Sequence, residues 1–294
     1  MWTKTLPRRI AVGVAVLSGV AWCMAALWIQ LGAKERSRHP YFAKPAPWAI
    51  AHRGGSKEWP EHTIEGYRKA VTLGVDVLEL DVHRSIDGAL VVIHDRTVDR
   101  TTNGSGEVAS MTHEELKRLD AGFRWTDPHG EALFRGQGLR IPTLSAVFET
   151  FPGVRFNVEM KSPGFADQLC STIQKAKLET RVLVAEISGE ALEAFRRVCP
   201  RVATSASFFE VIRFWALAHV GLTAQAPADA LQVPIAAGPL PVFTGPLLRA
   251  AQTRRIPVHA FTVNDRVVMR TLIEQGVAGI MTDDPRVLLE VLGR

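Results

Sequence analysis

The stretch VDVLELDVHRSIDGALVVIHD, residues 75–95, decides the fold. Its two apolar runs flank Asp87-Gly88, a dipeptide that tolerates positive φ at both positions and is a strong signal for a two-residue β-hairpin loop. With that loop, Ile86 faces Ala89, and counting back sets Asp81 opposite His94, with Glu79 two residues along on the same face. The two runs are therefore expected to pair antiparallel.

Outward from the hairpin, short β-type runs alternate with helical ones. WAIAH precedes HTIEGYRKAVTLG, MTHEELKRLD follows the hairpin, VRFNVEM leads into FADQLCSTIQKAK, and RVLVAEI leads into GEALEAFRRV. VATSAS, ALQVPI, PVHAFTV with DRVVMRTLIEQG, and AGIMTD with PRVLLEVL complete the series. Such alternation makes a parallel sheet with crossover helices. Nine strand candidates are one too many for an eight-stranded barrel, and the hairpin absorbs the ninth. The expected fold is α/β, a (β/α)8 TIM barrel with a β-hairpin after strand 2. A doubly wound open sheet alternates similarly and remains the alternative.

The 294 residues are 47% apolar, enough for a buried core, and carry a formal charge of +5. Six of the 35 Lys/Arg but only one of the 30 Asp/Glu fall in residues 1–40, which leaves 29 of each sign in residues 41–294. The excess is N-terminal, so a nucleic-acid partner is not supported. Residues 10–31, IAVGVAVLSGVAWCMAALWIQL, run 22 positions without a charged side chain. As a helix that length crosses a hydrocarbon core of about 30 Å, and it exceeds the roughly 7–15 apolar residues of a cleaved signal peptide. The expected organisation is an N-terminal membrane anchor over 1–31, a basic, proline-bearing juxtamembrane linker over 32–47, and a catalytic domain over 48–294. Lys4, Arg8 and Arg9 favour an inside N-terminus, while Lys34, Arg36 and Arg38 flank the other end, so the lean toward an outside domain is slight. Cys170 and Cys199 show no metal-ligand spacing, and their spacing neither asserts nor excludes a disulfide.

Polar residues at strand ends carry the chemistry. Period-two alternation puts Val75, Val77, Glu79 and Asp81 on one face of the second strand, and Asn157, Glu159 and Lys161 on one face of VRFNVEMK. Three carboxylates gathered at one end of a barrel repel each other and resist desolvation, so a cation among them is expected. Oxygen-only ligands favour Mg²⁺ or Ca²⁺ over zinc. With His52, Arg53, His94 and Lys161 at the same mouth, the set suits an anionic substrate: metal, Arg and Lys against phosphate oxygens, two imidazoles for proton transfer.

HRGG, PEHT, ELDVHRSIDGALVVIHD, RTTNGSG, IPTL, NVEMK, FTVND and GIMTDDP, in this order over about residues 49–285, resemble the sequential motifs of the glycerophosphodiester phosphodiesterase family. That resemblance implies a (β/α)8 barrel that hydrolyses glycerophosphodiesters to an alcohol and glycerol phosphate with a divalent metal. It implies His52 and His94 as the general acid/base pair, Arg53 and Lys161 as phosphate contacts, and Glu79, Asp81 and Glu159 as metal ligands. His62 stands where many members carry Asn, and Phe261 where Trp is common; both are substrate-side candidates. SFFEVIRFWALAHVGL, residues 207–222, is apolar over too much of its circumference for a narrow core stripe. It reads either as an ordinary barrel helix or as a lid admitting an acyl chain. Together with the anchor it makes the resemblance closest to members of the lysophospholipase D type, so lysophospholipids stand as an alternative substrate. A non-catalytic phosphodiester-binding membrane protein is the lower alternative.

Overall fold

The computed structural model describes residues 38–294 except 187, 224, 226 and 227. Its strands are β1 (Trp48–Ala51), β2 (Val77–Arg84), β3 (Leu90–Val92), β4 (Arg155–Met160), β5 (Val182–Ala185), β6 (Ala203–Thr204), β7 (Leu231–Pro234), β8 (Ala236–Ala237), β9 (Leu240–Pro241), β10 (Val258–Phe261) and β11 (Gly279–Thr282). Eight of them lie parallel in the order β6-β5-β4-β2-β1-β11-β10-β7. The two ends of that order meet, because Ser205 bridges Ala230 in parallel and Ala206 N–H donates to the Ala230 carbonyl at 2.9 Å. The sheet therefore closes into a TIM-barrel-like fold, and the open-sheet alternative falls away.

The hairpin forms, but its register differs by one residue. Val82 faces Val92, His83 faces Val91, and Arg84 faces Leu90. Only Gly88 takes positive φ, at 87°, so the loop has three residues, Ile86 to Gly88, closed by Ser85 N–H to the Ala89 carbonyl at 2.9 Å. Asp87 instead accepts from Ser85 Oγ and from the His113 N–H, which holds it out of the left-handed region that a two-residue loop requires. Asp81 consequently stands across from Ile93, whose N–H donates to its carbonyl at 3.0 Å, and not from His94.

Helices α1 (Ile64–Leu73), α2 (His113–Arg118), α3 (Leu144–Thr150), α4 (Ala166–Lys175), α5 (Gly189–Val198), α6 (Phe208–His219), α7 (Gly245–Thr253), α8 (Arg266–Glu274) and α9 (Pro285–Val291) accompany the strands. Leu78, Leu80, Val82, Phe156 and Val158 point outward into one apolar cluster with Tyr67, Leu169 and Leu192 from the helices. Two helices escaped the sequence reading: α3 is only seven residues long, and α7 carries Pro246 in its first turn, where a proline costs nothing because that N–H has no intrahelical partner. Helix α6 packs Val211, Phe214 and Ala218 against the barrel and opens with a capping box between Ser207 and Glu210. It is a barrel helix, though Phe208 and Phe209 at its start stay 54% and 74% exposed.

Part of the stretch read as linker belongs to the barrel. A short 3-10 turn, Pro40–Phe42, buries Tyr41 and Phe42 beneath the strand starts, where they join Trp48, Ile50, Val77, Leu183 and Met281 as the barrel floor. Arg155 Nε donates to the Tyr41 carbonyl at 2.8 Å and locks this plug to the start of β4. Residues 10–31 lie outside the described residues; among those described, no helix is long and apolar enough to cross a membrane.

Cys170 on α4 and Cys199 at the end of α5 are joined by a disulfide with a Cα–Cα separation of 5.6 Å. Removing the cross-link by Cys170→Ala/Cys199→Ala frees a loop of 29 residues' separation, an expected loss of about 3–4 kcal/mol on the chain-entropy model, read as a lower urea midpoint. In the floor, His259 is 1% exposed, and neither ring nitrogen has a hydrogen-bond partner among the described residues. Burial lowers its pKa to about 4, against about 6.5 in the unfolded chain. Between those values the unfolded state binds more protons, so stability falls as pH drops from about 6.5 to about 4, by an order of 3 kcal/mol. His259→Leu should flatten that part of the pH–stability profile; an unchanged slope would remove His259 as its source.

Candidate active site

At the end of β1 the chain must turn away from the barrel mouth within a few residues. Arg53, Gly54 and Gly55 take positive φ in succession, at 52°, 86° and 103°. A Cβ on Gly54 would stand 2.8 Å from the Tyr67 ring, and one on Gly55 2.9 Å from Pro285, so both glycines are required by space as well as by conformation. The turn aims the Arg53 N–H at Glu79 Oε2, 2.7 Å away.

Glu79 and Asp81 alternate inward along β2, and the parallel register sets Asp81 beside Glu159 on β4. Carboxylate oxygens of Glu79, Asp81 and Glu159 all lie within 4.8 Å of one another. Burial, reinforced by the charges of Asp81 and Glu159, pushes the Glu79 pKa well above the usual carboxylate range. For Asp81 burial acts upward too, but the hydrogen bond and charge of His62, followed by Lys161 and His94, hold it below that range. Lys161 Nζ sits 2.9 Å from Glu159 Oε1 and 3.2 Å from Asp81 Oδ1. Burial opposes its charge, yet these two carboxylates keep its pKa above normal. Three hard oxygen donors converging at this spacing fit a divalent cation of the Mg²⁺ or Ca²⁺ type.

His62 is 3% exposed, with Nε2 2.8 Å from Asp81 Oδ2 and Nδ1 2.6 Å from the Tyr67 hydroxyl. Held at both nitrogens, the ring meets Asp81 in the orientation that Tyr67 fixes. His62 thus holds one oxygen of Asp81 from behind. Phe261 ends β10 at the same end of the barrel and is 36% exposed.

The two histidines share a construction that the motif reading did not contain. His52 Nδ1 donates to Asp283 Oδ1 at 2.6 Å, and Asp283 also accepts from Ser56 Oγ and Asn264 Nδ2, both at 2.7 Å. Burial works against the charge of Asp283, but these bonds and the His52 charge hold its pKa below the usual range. His94 Nδ1 donates to Asp95 Oδ1 at 2.6 Å. Arg100 donates to Asp95 from Nε at 2.7 Å and to both oxygens of Glu61 at 2.8 Å, and Glu61 also accepts from Arg53 Nη1 at 3.3 Å. The Arg100 bond, ahead of the His94 bond, lowers Asp95 to about 2. Burial lowers the His94 pKa despite Asp95 and Asp81. The local signals for these partners were the His94-Asp95 dipeptide and the acidic pair Asp283-Asp284 after β11.

The structure therefore brings His52, Arg53, His62, Glu79, Asp81, His94, Glu159 and Lys161 to the C-terminal end of the barrel strands, where Arg53, His62 and Lys161 share the carboxylates of Glu79, Asp81 and Glu159. Comparison with known proteins identifies the family of the barrel that carries this site. Residues 52–287 match the model of the glycerophosphoryl diester phosphodiesterase family. A glycerophosphodiester phosphodiesterase of Caldanaerobacter subterraneus subsp. tengcongensis is 36% identical over 251 residues, covering 83% of this chain and 96% of its own. One from Bacillus subtilis is 32% identical, covering 80% and 83%. Among solved structures, an Oleispira antarctica phosphodiesterase in complex with the product sn-glycerol-3-phosphate superposes with a TM-score of 0.68 at 25% identity, over 86% of this chain and 99% of that one. A family model spanning both histidines, all three carboxylates and the partner Asp283 leaves one assignment: the chain belongs to the glycerophosphoryl diester phosphodiesterase family and is a phosphoric diester hydrolase.

Proposed function

We propose that the protein hydrolyses glycerophosphodiesters to glycerol 3-phosphate and an alcohol, with His52 and His94 as the general acid/base pair. The observation that carries this reading is the pair of imidazoles, each backed at Nδ1 by a carboxylate at 2.6 Å, beside one three-carboxylate cluster. Engagement of Nδ1 leaves Nε2 of each ring for proton transfer. One ring takes the proton of the attacking hydroxyl and the other protonates the departing oxygen. Asp283 and Asp95 hold the rings in the matching tautomer and offset imidazolium charge as it forms. Glu79, Asp81 and Glu159 would hold Mg²⁺ or Ca²⁺, which when bound supplies charge neutralisation at the phosphoryl oxygens. Arg53 and Lys161 contribute fixed positive charge to the same oxygens, and Phe261 offers an apolar wall to the glycerol carbons.

For location, the reading is a single-pass protein held by residues 10–31 with the barrel outside the cytoplasm. The Cys170–Cys199 disulfide supports this side, since such bonds persist in oxidising compartments. A lysophospholipid substrate draws on a separate observation, the exposed Phe208 and Phe209 at the start of α6, on the mouth side of the barrel.

Turnover of glycerophosphocholine is expected with Mg²⁺ or Ca²⁺ and is expected to vanish with EDTA; folded protein with bound metal and no turnover would overturn the proposal. Lysophosphatidylcholine in the same panel separates the two substrates. His52→Ala and His94→Ala should each lose about 10²–10⁴ in kcat, and a variant near the wild-type rate would release that histidine from its role. Asp283→Asn is expected to lower kcat as well, by up to about 10⁴, because an amide in place of the carboxylate can hold the ring in the wrong tautomer; an unchanged kcat would remove Asp283 as the group that orients His52. Calorimetry with Glu159→Gln should show weakened metal binding, and unchanged affinity would remove Glu159 from the ligand set.

A further inference from the structure

The barrel has a charge polarity along its axis that the site does not use. The segments joining helix ends to strand starts are residues 38–47, 74–76, 151–155, 176–181, 199–202, 220–230, 254–257, 275–278 and 292–294. Together they carry nine Lys/Arg and three Asp/Glu. Residues 38–294 are otherwise biased the opposite way, with 21 basic and 26 acidic residues. Arg38, Lys177, Arg181, Arg201 and Arg255 are exposed on this end. Its three acids are engaged: Asp76 is buried and paired with Arg294, Glu179 pairs with Arg201 at 3.1 Å, and Asp229 accepts from the Thr204 N–H. A groove of about 760 Å³ opens here, with Arg38, Gln252 and Arg255 among its polar lining and Leu248, Ile256 and Pro257 among its apolar lining.

The chain enters the barrel at this same end. His39 Nε2 donates to the Arg201 carbonyl at 3.0 Å, and Tyr41 and Phe42 plug the floor. Seven residues separate the apolar run that ends at Leu31 from His39, a reach of at most about 25 Å. A compact domain of about 250 residues is about 45 Å across. With the run in a bilayer, the tether is too short to pass around the barrel and present the mouth to that bilayer. It suffices to bring the floor to the headgroups.

We infer that the floor end of the barrel is a docking face for the anionic lipid surface in which residues 10–31 are inserted, and that the active-site mouth opens toward the aqueous phase. This rests on the anchor reading above and deepens it: the substrate is a water-soluble diester, not a lysophospholipid of the host bilayer. Several clustered basic residues beside a tether are a sufficient electrostatic contact with anionic headgroups. With Glu79, Asp81, Asp120 and Asp284 buried, the remaining surface is close to neutral and offers no comparable excess of positive charge.

The test is hydrogen exchange on the full chain in lipid nanodiscs of phosphatidylcholine alone and of a phosphatidylcholine–phosphatidylglycerol mixture. In the anionic discs, exchange in residues 176–181, 199–202 and 254–257 is expected to slow about tenfold, as several basic residues near the surface predict, while residues 52–63 and 236–241 stay unchanged. The slowing is expected to disappear near 1 M salt, where the screening length is about 3 Å, and in Lys177→Gln/Arg181→Gln/Arg201→Gln. The milder glutamine set keeps the fold, checked by unchanged thermal unfolding. Retention in discs with equal floor exchange in both lipids would overturn the docking face and leave the anchor standing. Protection of residues 208–212 and 236–241 instead would overturn it in favour of a lipid-facing mouth. Failure of the full chain to stay with discs of either composition would remove the anchor reading, and the docking face with it.

Discussion

Like-charge repulsion at the top of β2 is the constraint to which the rest of the site answers. Glu79 and Asp81 point the same way two residues apart, and the parallel register with β4 adds Glu159 beside them. Each neighbour then supplies a donor or a positive charge: the Arg53 N–H to Glu79, His62 to Asp81, and Lys161 between Asp81 and Glu159. The left-handed turn after β1, the helix α1 that carries Tyr67 and the length of β4 that delivers Lys161 all follow from where those donors must stand. A closed barrel suits this because its strands end together, so side chains distant in sequence meet without a long loop.

Much of this was legible in the sequence, for identifiable reasons. Strand positions emerged because buried parallel strands are short, apolar and separated by helical periods, and the inward phase of Glu79, Asp81 and Glu159 follows from alternation alone. The hairpin after β2 was legible in kind but not in register. Asp-Gly names a turn, yet whether Asp87 enters the left-handed region depends on Ser85 and His113. Helix α7 was obscured by Pro246, whose placement in a first turn is visible only once Thr244 is known to cap it. The carboxylate partners of the histidines were least legible. Asp283 lies 231 residues from His52, and nothing local distinguishes it from its neighbour Asp284, which caps α9.

The two ends of the barrel are specialised by different physics. At the mouth, charges are buried and therefore paired, each carboxylate accepting from a defined donor. At the floor, Tyr41, Phe42 and Trp48 fill the interior with aromatic volume, and His259 is buried there in its neutral form. The cations of that end are left at the perimeter. Packing thus supplies rigidity beneath the site, while hydrogen bonds supply geometry within it.

The tight fit of Gly54 against Tyr67 gives the site a lever arm. The ring that a Cβ at position 54 would strike is the ring whose hydroxyl bonds His62, and His62 in turn bonds Asp81. A methyl group at position 54 would therefore displace a phenol. The displaced phenol would no longer hold the far side of the imidazole, and the ring could turn its donor away from Asp81. A backbone position that touches no reacting atom governs, through two side chains, the electrostatic state of a carboxylate at the centre of the site.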